Sequence, residues 1–221
     1  IETATSHQAA RVRLGCSAEL APAALFRLIR VLRDTAPEVV VDLSRSLSEA
    51  IVQSLREGLL DLALIDQRPR EPGLRSRRLL TDEIVLVVSA DHPWAGRGSI
   101  RAEELLGQSL VVSTHVDYGR LIEDLLDRQH VRLHQVPIAV QVDSSHDALA
   151  AVAQGLGVSF VSRGFAQHAS SKTVAVQVDG VSLRREVFLV LGPAKARTPA
   201  GHRLEAFLRS PLAAKLLAGE G

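Results

Sequence analysis

The sequence predicts an α/β protein of two lobes joined by two crossing segments. Three observations carry this prediction. Residues 48–66, SEAIVQSLREGLLDLALID, read as a helix, a glycine stop and a buried strand. Up to Ser89 strands and helices follow one another in β-α-β-α-β-β order, and a second α/β series begins after a change of composition at 90–95. Alternation of this kind implies, in each lobe, a mostly parallel sheet with helices on both faces.

In the first of these stretches Ala50, Ile51, Ser54, Leu55 and Leu59 recur at helical spacing, opposite a polar face of Glu49, Gln53, Arg56 and Glu57. Ser46 followed by Glu49 has the spacing of a capping box, and Gly58 suits the left-handed residue that stops a helix. The run 61–65 is nearly all apolar, as in a strand covered on both faces. In open α/β sheets ligands sit beyond the carboxyl ends of strands, beside helix starts with free N–H groups. Ser46, Ser48 and Asp66 therefore share one rim, which is the expected ligand site.

Taken in order, residues 1–10 are polar and small, a linker remnant. Val12, Leu14 and Cys16 alternate as a first strand, and after Pro22 the positions Leu25, Leu28, Ile29 and Leu32 mark an amphipathic helix that Pro37 closes. A strand at 39–43 precedes the central helix and strand; an exposed loop at 67–75 and a long strand at 79–89 follow. The second series has a short helix at 100–106, a strand at 109–114, a helix at 118–129 and a strand at 136–142. A helix at 146–154 and strands at 158–162, 174–178 and 185–191 come next, and a helix at 202–217 closes the chain. The lobes are accordingly 11–89 with 192–221, and 90–191. A cleft between such lobes is a usual place for a small ligand.

Composition narrows the function classes. A chain of 221 residues, 46% hydrophobic and 23% charged, has the make-up of a soluble globule, and its net charge of +1 comes with no basic run dense enough for a phosphate-binding surface. The lone cysteine, Cys16, excludes an internal disulfide and a multi-cysteine metal site. No apolar run nears the roughly 20 residues that span a bilayer. The N-terminus has no apolar signal core, so the expected location is the cytoplasm. No P-loop, GxSxG motif or paired catalytic carboxylates support an enzyme, and no cofactor is expected. Gly155 and Gly157 follow a helix and precede a strand, the reverse of a dinucleotide loop, and read as a helix stop.

Several segments, taken together, resemble the effector-binding domain of LysR-type transcriptional regulators. They are Leu14-Gly15 with Ser17, LREGLLDLALI at 55–65, ADHPWA at 90–95, RAEELLG at 101–107, DYGRLIEDLL at 117–126 and LAAVAQGLGVSFVS at 149–162. The resemblance implies two lobes of the periplasmic-binding-protein type 2 fold, with a small-molecule effector in the cleft. It also implies a homodimer or homotetramer that pairs the helices at 21–36 and 118–129 head to tail. DNA would be bound only through a winged helix-turn-helix that this sequence does not contain. Ser162 stands where the family commonly has proline.

Ser17 and Glu19 match effector-contacting positions of the family; alternatively they cap the helix that begins near Ala21. Ser46 and Ser48 either cap their helix or hold an anion, and a helix start can do both. Asp66 lines the cleft in the resemblance and otherwise caps the turn before Arg68. Arg45 is placed to pair with a ligand carboxylate, or lies on the surface. Together, Glu19 and Asp66 beside Arg45 point to a zwitterionic ligand. On the opposite rim Ser113, Thr114 and His115 end a strand, Tyr118 enters the next helix, and Asp143 and Ser144 precede another. His115 has no second ligand at metal spacing, so a polar contact is expected of it. Cys16 reads as a packed small hydrophobe. The competing function is a free solute-binding protein of a transport system.

Overall fold

The computed structural model describes residues 10–114, 119–167, 172–193 and 198–218. The chain opens with β1 (Ala10–Ser17), α1 (Pro22–Thr35), β2 (Val39–Ser46), α2 (Ser48–Arg56), β3 (Leu62–Ile65) and β4 (Arg75–Ser89). Next come β5 (Ser99–Ile100), β6 (Leu110–Ser113), α3 (Gly119–Arg128), β7 (Ile138–Val142), α4 (Ser145–Ala153), β8 (Ser159–Ser162) and α5 (Arg163–Gln167). β9 (Thr173–Val178), β10 (Leu183–Leu191), α6 (Pro199–Leu208) and α7 (Pro211–Ala218) complete it. Two compact units result, one of residues up to Leu80 and from Glu186, the other Thr81–Arg185. The chain passes between them inside β4 and β10, so the composition change at 90–95 lies wholly within the second unit.

In the first unit β1 pairs in parallel with β2 and with β3, and β10 runs antiparallel to β3. The parallel pairs are those joined by helical crossovers, as that connection requires. Alternation along the strands sends Val12, Leu14, Cys16, Leu62 and Leu64 to one face, against Leu25, Leu28 and Leu32 of α1 and Leu204 and Leu208 of α6. Ala63, Ile65, Phe188 and Val190 cover the other face, against Ile51, Val52 and Leu55 of α2. Each fully buried leucine or isoleucine contributes about 1.5–3 kcal/mol. Gly15 lies under α2, where a Cβ would come within 2.9 Å of the Ile51 side chain. Gly58, at φ 71°, ends that helix as expected.

Three expectations for this unit need correction. Ala50 is exposed and Leu59 is 58% exposed, because Gly58 turns the chain before Leu59 can join the apolar stripe; Val52 takes its place. No Ser46–Glu49 box forms, since β2 continues through Ser46, Leu47 becomes the N-cap, and no side chain caps the helix. The C-terminal helix is two helices: Pro211 has no N–H for a continuing turn, and Ser210 Oγ instead accepts the Ala213 N–H.

In the second unit β4 is antiparallel to β8 and β9, β9 is parallel to β5, and β6 is parallel to β7. The sheets are thus mixed: parallel across crossovers and antiparallel beside β4. Trp94, 5% exposed, packs with Leu86, Val88, Leu105, Phe160 and Val176, and His92 Nδ1 accepts its backbone N–H. The Gly155–Gly157 stop is as expected, with Gly155 at φ 76° after α4. At Gly157 a Cβ would stand 2.3 Å from the Ser109 carbonyl oxygen. Ser162 ends β8, and α5 follows it directly.

Candidate ligand-binding site

In the first unit β1, β2 and β3 end side by side, because the parallel register aligns Ser17 with Ser46 and Cys16 with Leu64. On this rim β3 delivers Asp66 to the start of α2, where Ser48 Oγ donates to Asp66 Oδ1 at 2.6 Å. Helix start and strand end are therefore joined, as the sequence pattern implied. The Ser48 proton is committed to Asp66, so toward a ligand this hydroxyl presents lone pairs. The N-cap of this helix, Leu47, has no side chain to cap the first-turn N–H groups.

Ser17 and Glu19 are each 2% exposed. Ser17 Oγ accepts the Glu19 N–H at 3.3 Å and Ser17 O accepts the Leu20 N–H at 3.1 Å, forming a tight turn. Neither residue caps α1, whose N-cap is Ala21. Arg45 does not reach toward α2: its Nη2 donates to the Ala18 and Leu20 carbonyls, each at 2.6 Å. The zwitterion pattern built on Arg45 loses its cation for that reason. Ser46 is exposed, and its carbonyl accepts the Ala18 N–H.

A concavity of about 610 Å³ opens beside Ser48, bounded by Glu49, Val52, Gln67, Arg68, Arg70 and Glu71. The connection at 67–75, expected to be a plain exposed loop, instead lines one wall of this concavity with residues 67–71. The available signal was two arginines flanking a proline directly after a strand-end acid.

In the second unit β6 and β7 end together, with the Thr114 N–H and Oγ1 both donating to Val142 O. Ser113 is 6% exposed, and its Oγ is buried with no hydrogen-bond partner among the described residues. Ser144 is the N-cap of α4: its Oγ accepts the Asp147 N–H at 3.1 Å, as a cap does. Asp143 is exposed. His115 and Tyr118 lie outside the described residues. Among the described residues no group of three His, Cys, Asp or Glu side chains could hold a metal, and no helix is long and apolar enough to cross a membrane.

Comparison with known proteins identifies the fold and the family. The LysR substrate binding domain family profile matches residues 5–213. Among curated relatives, a "Probable RuBisCO transcriptional regulator" of Cyanidioschyzon merolae is 26% identical over 199 residues, covering 87% of this chain and 66% of that one. The HTH-type transcriptional regulator CbbR of Cereibacter sphaeroides is 26% identical over 186 residues, covering 81% of this chain and 58% of that one. The chain thus spans about two thirds or less of the length of these relatives. Among solved structures, the CcmR regulatory domain of Synechocystis PCC6803 in complex with 2-PG has a TM-score of 0.77 at 21% identity, covering 90% of this chain and 96% of that one. The effector binding domain of QuiR in complex with shikimate has a TM-score of 0.73 at 18% identity, covering 90% and 94%. The fold is that of LysR regulatory domains, an α/β arrangement of the periplasmic-binding type 2 class. The chain belongs to the LysR substrate-binding domain family.

Proposed function

We propose that this chain is the effector-sensing domain of a LysR-type transcriptional regulator. It would bind a small molecule and pass the event to a DNA-binding domain outside this sequence. The family match over residues 5–213 carries this reading. The curated relatives are transcription regulators, which favours it over a transport solute-binding protein and over an enzyme. Ser17, Glu19, Ser48 and Asp66 are the candidate contacts on the first unit, with Arg68 and Arg70 adding positive charge beside the helix start. Glu49 and Glu71 line the same concavity, so the combination suits a small organic molecule that meets the arginines and the helix start with an anionic group and Ser48 with a donor group. On the second unit the candidate contacts are Ser113, whose hydroxyl has no partner among the described residues, with Thr114, His115, Tyr118, Asp143 and Ser144.

The ligand acts only through its differential affinity for two states of the regulator. The assembly would be a dimer or tetramer in the cytoplasm. Exposed Phe26, Arg30, Arg33 and Asp34 on α1 face outward, as do Arg120, Glu123, Asp124, Asp127 and Arg128 on α3, so both helices offer charges of both signs to a partner. Light scattering that finds only monomer at high concentration would remove the assembly from this reading.

The test of the site is a thermal-shift screen of the chain against small organic acids, 2-PG and shikimate included, with Ser48→Ala and Asp66→Ala in parallel. Saturable binding stabilises by about 2.7 kcal/mol at a hundred times the dissociation constant. A ligand whose affinity both folded variants leave unchanged would show the rim to be misplaced.

A further inference from the structure

Arg45 ends β2 opposite Cys16 in the parallel ladder. Ladder neighbours share a sheet face, and Cys16 packs on the α1 side with Leu25 and Leu28. The Arg45 side chain therefore rises on the α1 face and arches over the turn that joins β1 to α1. There a single guanidinium nitrogen, Nη2, donates to both Ala18 O and Leu20 O at 2.6 Å. The neighbouring residue completes the grip, because Ser46 O accepts the Ala18 N–H at 2.9 Å. Ser17 closes the turn from within, taking the Leu20 N–H on its carbonyl and the Glu19 N–H on its hydroxyl. Two adjacent residues of one strand thus hold a four-residue turn of another, the charged one through two hydrogen bonds from its guanidinium.

We infer that Arg45 is a positioning residue, which fixes the turn at 17–20 and thereby the aim of Ser17 and Glu19. Hydrogen bonds from a charged donor are about twice as strong as neutral ones. Without them two carbonyls of a tight, largely buried turn would need water, and the peptide planes on either side of Glu19 could rotate. Ser17 and Glu19 are each 2% exposed, so a small rotation changes which group meets a ligand. That this turn faces an effector rests on the functional reading above; that Arg45 sets its geometry does not.

The experiment is ligand-free amide NMR of the chain with Arg45→Met, Arg45→Gln and Arg45→Lys. Arg45→Met is expected to shift the amide resonances of residues 17–20 and to speed their hydrogen exchange about tenfold or more, as expected of a locally opened segment, while β3 stays protected. Arg45→Lys is expected to restore most of both effects, because an ammonium can still donate to two carbonyls. A general role in stability would instead lower protection everywhere, with no local signature that lysine rescues. Should Arg45→Met fail to fold, Arg45→Gln carries the same comparison. Unmoved resonances and exchange at 17–20 in a folded Arg45→Met or Arg45→Gln chain would overturn the inference and return Arg45 to the ligand or the surface. The effector screen is independent of this result, so failure of either one is recognisable as its own.

Discussion

The Asp61 carboxylate collects three donors from one residue, Arg13. Its Oδ2 accepts the Arg13 backbone N–H at 2.7 Å and Nε at 3.3 Å, and its Oδ1 accepts Nη2 at 2.8 Å. Asp61 is 1% exposed and precedes β3, while Arg13 lies mid-β1, so the contact pins the turn after α2 to the neighbouring strand. The Arg13 side chain is 40% exposed, which weakens the purely ionic share. Asp61→Ala is expected to cost about 2 kcal/mol, and Asp61→Asn about half of that, since the amide oxygen still accepts the backbone N–H. Urea unfolding followed by circular dichroism measures both; equal losses would mean that charge, not acceptor geometry, dominates.

Backbone packing gives a sharper expectation at Gly157. A Cβ there would sit 2.3 Å from the Ser109 carbonyl oxygen, a backbone atom whose neighbour Leu110 is held in ladders to Val158 and Ile138. Gly157→Ala should cost about 3 kcal/mol, the upper end for overpacking. The sequence has one tryptophan, Trp94, buried in the same unit, so its fluorescence reports this loss directly. Gly15→Ala meets only side-chain carbons of Leu60 and Ile51 and is expected to cost about 1 kcal/mol without moving the Trp94 signal. A smaller effect at Gly157 than at Gly15 would contradict this ordering.

The order of elements was legible because periodicity and glycine stops are local properties. Ile51, Leu55, Gly58 and the apolar run into Ile65 announce α2 and β3 from spacing alone. The errors arose where a neighbouring strand or a single residue decides. The apolar pattern of β2 stops at Leu43, yet pairing with β1 carries the strand on to Ser46. Those extra residues remove Ser46 from the helix cap and give Arg45 a pleat parity that points it at α1. The Ser48–Asp66 contact was implied by the rule that strand ends meet helix starts. The concavity at 67–71 was not, because loop side chains carry no periodic signal.

Acid should act on the second unit through Glu104. Its carboxylate accepts from Arg97 Nη1 at 2.7 Å and Nη2 at 2.9 Å, and from the Arg101 N–H at 2.9 Å. The Arg97 guanidinium, then the backbone donor, holds this carboxyl down at about 2, against 4.5 for an ordinary glutamate. Because the folded value lies below the unfolded one, the stabilisation is present above about pH 4.5 and is lost as pH falls toward about 2. A carbon-13 titration should place the Glu104 midpoint near 2 in the parent chain, and Arg97→Gln should raise it toward 4.5. An unmoved midpoint would assign the depression to the Arg101 N–H instead.

The Ser48–Asp66 pair makes opposite predictions for its two members. Ser48 donates to Asp66 at 2.6 Å, so only its lone pairs face a ligand. Ser48→Ala removes both interactions, and for a ligand that donates to this hydroxyl it should weaken binding by about 1 kcal/mol, roughly fivefold. Asp66→Asn keeps an acceptor for the serine proton but deletes a negative charge. For an anionic effector, which Arg68 and Arg70 beside the helix start would favour, Asp66→Asn should tighten binding, and added salt should shrink the gain. Calorimetry of the two variants with the first ligand found by the screen reads both signs at once. If both variants weaken binding alike, Asp66 itself holds a cationic group of the effector, and the anion reading of this rim falls.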